Sequence, residues 1–264
     1  MKNSNKPSSS DESLYFNIQA DFGFTKHPGG LKATRELVEA CKIGKGSYVL
    51  EIGCGVGKTP CTIVEETGCR LVGVDLSTGM VEKARERAKK KGLEDELEFR
   101  MADAQELPFG DNTFNAVFCE SVMAFVPDKA KALREYARVT KAGGYVGMNE
   151  VHWVKEPPSE LVRYAALIMA GAKFLTVDGW RSLLAEAGLQ EIEVHSYKMD
   201  MRQQRIEEMR GMEKGEGLQA WKRFFKGLFT DPAYWKFTKQ ALSQPGKIFK
   251  FIKYNGYGIY VGKK

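Results

Sequence analysis

Residues Val49-Leu50-Glu51-Ile52-Gly53-Cys54-Gly55-Val56-Gly57 run from an apolar stretch through one acid into three glycines at alternate positions. That order constrains the fold more than any other part of the chain. An apolar run that stops at a glycine cluster is the pattern of a buried parallel strand entering a tight turn, and the residues from Lys58 to Glu66 can form the helix that crosses back. Without Cβ atoms the turn can take positive φ and let a ligand touch backbone. Free N–H groups at the helix start then offer donors to polar or anionic groups.

Three kinds of site use such a loop: P-loop NTPases, dinucleotide-binding dehydrogenases and S-adenosylmethionine (SAM) methyltransferases. Gly57-Lys58-Thr59 supplies a P-loop ending, but GxxxxGK[ST] needs its first glycine at position 52, which is Ile52. Starting from Gly53 leaves the loop one residue short, and Pro60 suits a first helical turn without adding a phosphate donor. Against the dehydrogenase pattern GxGxxG, the third glycine comes one residue early. Downstream segments separate the readings. Leu71-Val72-Gly73-Val74-Asp75 is a second apolar strand ending in an acid 18 residues after Gly57, where a carboxylate can accept from both hydroxyls of a ribose. A third candidate, Leu97 to Met101, ends at Ala102-Asp103-Ala104, and a fourth, Phe114 to Cys119, ends at Glu120-Ser121.

With these segments in place the chain resembles the class I SAM-dependent methyltransferases, specifically the small-molecule group of quinone, sterol, tocopherol and phosphoamine methyltransferases. The matching segments are VLEIGCGVG at 49–57, VGVDLSTGM at 72–80, ADAQELPFGDNTFNAVFCESV at 102–122 and VPDKAKALREYARVTKAGGYVGMNE at 126–150. They cover about half the chain. The resemblance implies an α/β fold, a doubly wound Rossmann-like seven-stranded sheet, mostly parallel with an antiparallel last strand, helices on both faces and a helical cap inserted before that strand. It implies SAM as cofactor, with S-adenosylhomocysteine as product, and no metal. Glu51, Gly53, Gly55 and Gly57 would frame the methionine end of SAM, and Asp75 would hold the ribose hydroxyls. Leu76 and Met80 would line the adenine and ribose side, Asp103 with the Ala104 N–H would address the adenine edge, and Glu120 and Ser121 would lie beneath the sulfonium.

The chain departs from the resemblance in one place. Many relatives carry a histidine facing the acceptor just after the fourth strand, where this chain has Ala124-Phe125-Val126-Pro127-Asp128. A general base then comes from elsewhere or is unnecessary, because the sulfonium already makes the methyl a strong electrophile. Ligands of an open α/β sheet sit outside the carboxyl ends of its strands, so Glu150, His152 and Trp153, beyond the fifth strand Tyr145 to Asn149, are expected to face the acceptor. His152 is the candidate replacement base, with Glu120 as the second candidate catalytic group. His195, in the alternating strand 190–198, is expected to face solvent.

Composition fits an enzyme of one elaborated domain: of 264 residues, 43% are hydrophobic and 28% charged. The apolar stretch from Tyr164 to Ala172 falls far short of the roughly 20 residues of a membrane span. The polar, serine-rich start does not read as a leader peptide, so a cytoplasmic location is expected. Cys41, Cys54, Cys61, Cys69 and Cys119 form an odd set without CxxC spacing, consistent with reduced thiols.

Four divisions are expected: a disordered tail over 1–13, a SAM-binding core with an N-terminal lid over 14–200, a basic aromatic cap over 201–253, and the last strand over 254–264. Tyr15, Phe24 and His27 are the lid residues expected near substrate, with His27-Pro28-Gly29-Gly30 as an exposed turn before a helix from Leu31 to Cys41. The cap carries 12 Lys+Arg against 5 Asp+Glu, whereas residues 1–200 carry 26 against 29. Trp221, Phe224, Phe225 and Leu228 share one helical face with Lys222, Arg223 and Lys226 flanking it, and the lysines and aromatics of 247–253 repeat the composition. Such a cap serves a small or lipid-like acceptor, an anionic membrane surface or, less in keeping with Glu120-Ser121-Val122-Met123, a nucleic acid. The acceptor and oligomeric state stay open, and a catalytically silent SAM-binding scaffold is the alternative function.

Overall fold

The computed structural model describes residues 27–200, 216–230 and 245–264, with single positions between them. The expectations for the tail, for Tyr15 and Phe24, and for part of the cap lie outside the described residues. The first helix among the described residues, α1, spans Gly30–Ala40. Alternation follows through β1 (Tyr48–Ile52), α2 (Lys58–Thr67), β2 (Arg70–Asp75), α3 (Thr78–Lys91), β3 (Leu97–Met101), β4 (Phe114–Glu120), α4 (Lys129–Val139) and β5 (Thr140–Trp153). The second half holds α5 (Ser159–Ile168), β6 (Leu175–Thr176), α6 (Val177–Glu186), β7 (Gln190–Lys198), α7 (Glu216–Thr230), α8 (Pro245–Tyr254) and β8 (Asn255–Lys263).

The strands form one sheet in the order β3-β2-β1-β4-β5-β8-β7, with β6 pairing the far end of β5. The first five strands are parallel, and β8 runs antiparallel between β5 and β7. The sequence patterning called for seven strands; the eighth is the two-residue β6, too short to leave a periodic signal. Strand β5 also starts earlier than its apolar run, at Thr140, which pairs with Phe114 across a register shift in β4.

Two-residue periodicity sorts the strand side chains onto two faces. Val49, Leu71, Phe118 and Ile259 lie with α1, α2 and α3 through Leu37, Cys61 and Ala84. Leu50, Val72, Val117, Val146 and Met148 lie with α4 and α6 through Leu133, Tyr136, Trp180 and Leu184. Helix ends are set locally: Asp128 accepts from the Lys131 N–H at the start of α4, and Thr176 from the Gly179 N–H at the start of α6. All five cysteines are free thiols and buried. Burial pushes the Cys41 thiol up to about 12. No helix among the described residues is long and apolar enough to cross a membrane.

One close approach ties the N-terminal helix to the sheet. A Cβ on Gly147 of β5 would overlap Cys41 Sγ and lie 2.7 Å from Leu37 Cδ1. Gly147→Ala is therefore expected to lower stability by about 1–3 kcal/mol, measured as a lower denaturant midpoint at unchanged slope.

Candidate active site

The order of the sheet reverses between β1 and β4, and a crevice opens outside their carboxyl ends. The glycine loop leaves β1 there. The N–H groups of Gly53 and Cys54 both donate to the Val74 carbonyl, at 2.7 and 3.0 Å, which folds the loop back over β2. All three glycines have positive φ: 73° at Gly53, 52° at Gly55 and 76° at Gly57. Their spatial reasons differ. A Cβ on Gly53 would overlap the Val122 side chain, and one on Gly57 would lie 2.8 Å from Ala84 of α3, whereas one on Gly55 would meet nothing within 4 Å. Gly53 and Gly57 answer to packing, and Gly55 presents bare backbone to open space.

Acidic groups surround that space. Glu51 is 3% exposed, and its Oε2 is buried without a hydrogen-bond partner. Burial first, then the charges of Glu120 and Asp75, push its pKa well above the usual carboxylate range. Asp75 accepts the Gly55 N–H at 3.0 Å through one oxygen and the Ser77 N–H at 2.9 Å through the other. Burial raises its pKa against those two bonds. Leu76, beside it, is 73% exposed, and Met80 is half-buried. Asp103 is exposed beyond β3 and accepts the Gln105 N–H at 2.8 Å, with half-buried Ala104 next to it.

Glu120 ends β4 in a polar network rather than in open solvent. Its carboxylate accepts from Thr34 Oγ1 at 3.1 and 3.2 Å and from Asn149 Nδ2 at 3.2 Å, with His27 Nδ1 at 3.3 Å. Asn149 also donates to the Pro28 carbonyl at 2.9 Å. His27 is 4% exposed, which corrects the expectation of an exposed turn: β5 and α1 close over it. Ser121 follows with φ 57° and a buried hydroxyl that has no partner. Patterning missed Thr34 and Asn149 as partners of Glu120. Asn149 carried a usable signal, a lone amide at the end of an apolar strand; Thr34 on its helix carried none.

Glu150, His152 and Trp153, expected beyond the fifth strand, lie within β5 and do not open onto the crevice. Glu150 is fully buried and accepts the Val122 and Met123 N–H groups, each at 2.7 Å, so it holds the turn after β4. Its burial raises the pKa to about 7. His152 is buried between strands: Nδ1 lies 2.8 Å from the Tyr260 hydroxyl and Nε2 3.1 Å from Ser196 Oγ. Burial depresses its pKa to about 4, the wrong direction for a base working near neutrality. Trp153 packs edge-on against Phe174 and Phe251, at 5.7 and 5.8 Å. The antiparallel β8, invisible from β5 alone, covers these positions. His195 is half exposed, as expected, with Nδ1 2.6 Å from Glu36.

The donor set fits SAM. A buried, unpartnered carboxylate calls for a cation, the bare Gly55 backbone gives room for close approach, and exposed Leu76 beside Asp75 supplies an apolar wall for a nucleoside. Among the described residues no group of three or more His, Cys, Asp or Glu is placed to hold a metal ion.

Comparison with known proteins agrees. Residues 50–148 match the family described as "Methyltransferase domain". An uncharacterized protein of Haemophilus influenzae is 30% identical over 83% of this chain and 92% of its own length. Methyltransferase GfsG of Streptomyces halstedii is 30% identical over 62% of this chain, which spans only 60% of that relative. In fold, the chain is similar to a phosphoethanolamine N-methyltransferase 2 of Haemonchus contortus solved with SAM, with a TM-score of 0.73 and 22% identity over 96% of this chain and 57% of that one. The fold and the methyltransferase domain define an S-adenosylmethionine-binding α/β enzyme. This chain belongs to the class I SAM-dependent methyltransferases.

Two outcomes follow. Gly55→Ala, strained by about 1–2 kcal/mol at positive φ but free of clashes, is expected to lose SAM affinity in calorimetry while its thermal midpoint falls only slightly. Gly57→Ala adds a collision with α3 and is expected to show the larger fall in midpoint. For His152, the folded pKa of about 4 lies below the ordinary value of 6.5. Its contribution to stability is thus present above pH 6.5 and lost as pH falls towards 4. Denaturant titrations at neutral and acid pH are expected to show His152→Gln losing on the order of 2 kcal/mol less than the parent over that interval.

Proposed function

We propose that the chain moves the methyl group of SAM to an O, N or C atom of a small or lipid-like acceptor by in-line displacement at the carboxyl ends of β1, β4 and β5. The observation that carries this reading is the bare Gly55 backbone, tied to Asp75, together with buried Glu51, one of whose carboxylate oxygens has no partner. When bound, SAM supplies an electrophilic methyl on a sulfonium. Glu51 binds the ammonium of its methionine end, and Asp75 accepts from the ribose hydroxyls. Leu76 and Met80 cover the nucleoside, and Asp103 with the Ala104 N–H meets the adenine edge. Glu120 and Ser121 stand at the sulfonium side, and Thr34 and Asn149 orient the Glu120 carboxylate there.

The acceptor side is rich in carbon. Ala124, Val151, Trp153, Leu161, Ala165 and Phe174 form a buried cluster at the carboxyl ends of β4 and β5, and Phe251 of α8 packs against it. The buried Tyr164 hydroxyl beside Phe251 has no hydrogen-bond partner. Those surroundings favour an apolar acceptor body with one polar group. His152, bonded through both ring nitrogens, is set aside as general base, and His27 acts through Glu120. Rate enhancement then rests on positioning the acceptor against the methyl and excluding water.

Asp75→Asn is expected to weaken SAM binding roughly ten- to a hundredfold, the loss of charge-assisted hydrogen bonds, and to lower S-adenosylhomocysteine release with any acceptor that turns over. Calorimetry and a product-release assay over phenols, amines and isoprenoid acceptors check both. Undiminished SAM affinity in Asp75→Asn would overturn the site assignment.

A further inference from the structure

Helices α7 and α8 carry large apolar side chains on the wrong side for a core. On α7, Leu218, Lys222, Lys226 and Phe229 recur at i, i+4, i+8 and i+11, which places them within a stripe of about 80°. All four are exposed, Leu218 by 64% and Phe229 by 89%. The opposite side of the same helix faces the protein: Gly227 lies against the buried Tyr234 ring, 2.6 Å from where its Cβ would stand. The outward stripe is therefore not an inner face left uncovered by chance.

Helix α8 repeats the arrangement. Phe251 turns inward onto Trp153, Tyr164 and Phe174. Phe249, two residues before it and so about 200° around the helix, is 67% exposed. Lys250 and Lys253 are exposed near it, Lys250 3.8 Å from Glu160. Trp235, between the two helices in sequence, is 62% exposed. Glu216 is the only acid in either helix, in a segment with 12 Lys+Arg against 5 Asp+Glu.

Exposed rings and aliphatic chains interleaved with lysines, and almost no acids, match the chemistry of an anionic lipid surface. The rings enter the boundary of headgroup and acyl chain, while lysine stems lie along it and their ammonium groups meet phosphate or carboxylate headgroups. A nucleic acid would match the charge but leave Leu218 and Phe229 in water. We propose that the outer faces of α7 and α8 dock the enzyme peripherally on an anionic membrane. The proposal is independent of methyl transfer, and it would place a lipid-like acceptor beside the site.

The test is flotation of the full chain with vesicles of phosphatidylcholine alone and of phosphatidylcholine mixed with phosphatidylserine, with SAM affinity measured on the same samples. Expected are binding to the mixed vesicles only, weakening as salt rises, and a blue shift of tryptophan fluorescence. Phe229→Ser with Phe249→Ser is expected to cut partitioning about tenfold and leave SAM affinity and thermal midpoint unchanged. Lys222→Glu with Lys226→Glu is expected to do the same through charge. Absence of binding to mixed vesicles at low salt overturns the proposal. So does vesicle binding that survives both double substitutions, or binding to double-stranded DNA that they abolish while vesicle binding stays absent. A loss of SAM binding in the unsubstituted chain would instead count against the methyltransferase site.

Discussion

The Val74 carbonyl accepts from two consecutive N–H groups of the glycine loop, and much of the molecule's chemistry depends on that fork. It pins the turn after β1 against the end of β2, which carries Asp75 to the Gly55 N–H and leaves the Gly55 backbone facing open space. With the loop held, α2 begins at Gly57 and passes close to Ala84 of α3. The crevice is thus built from backbone, and few side chains need to be specific to shape it.

Charge is arranged around this backbone frame at some cost. Two carboxylates, Asp75 and Glu120, lie within electrostatic reach of Glu51 at the ends of β1, β2 and β4. Burial of Glu51 without a partner is unfavourable in the free protein and is relieved by a cationic ligand. Glu120 is treated differently, since Thr34 and Asn149 satisfy it and connect it to Pro28 through Asn149. One acid is left hungry for a cation. The other anchors the chain entering α1.

Much of this was legible in the chain. Apolar runs ending in acids marked β1 to β4 within a residue or two, because parallel strands buried on both faces are continuous apolar stretches and their ends carry the polar work. The glycines were legible as a loop but not individually: only neighbours distant in sequence, Val122 and Ala84, distinguish the two that answer to packing from Gly55. Glu150, His152 and Trp153 were misplaced for a related reason. Their pattern marks a strand end, yet β5 continues to Trp153 because β8, about 100 residues later, pairs it from Tyr145 to Trp153 and encloses His152 between Tyr260 and Ser196.

The sequence by itself determined the parallel half of the sheet and the cofactor class, since each rests on local order: apolar run, glycine, acid. Tertiary structure alone decided which histidine belongs where. His27 sits in a motif that looks like an exposed turn and is buried against Glu120, and His152 looks like a catalytic base and is a strand-to-strand bridge. Both outcomes come from contacts across 90 or more residues. Burial and the partner that satisfies a ring nitrogen are properties of packing, which local spacing does not encode.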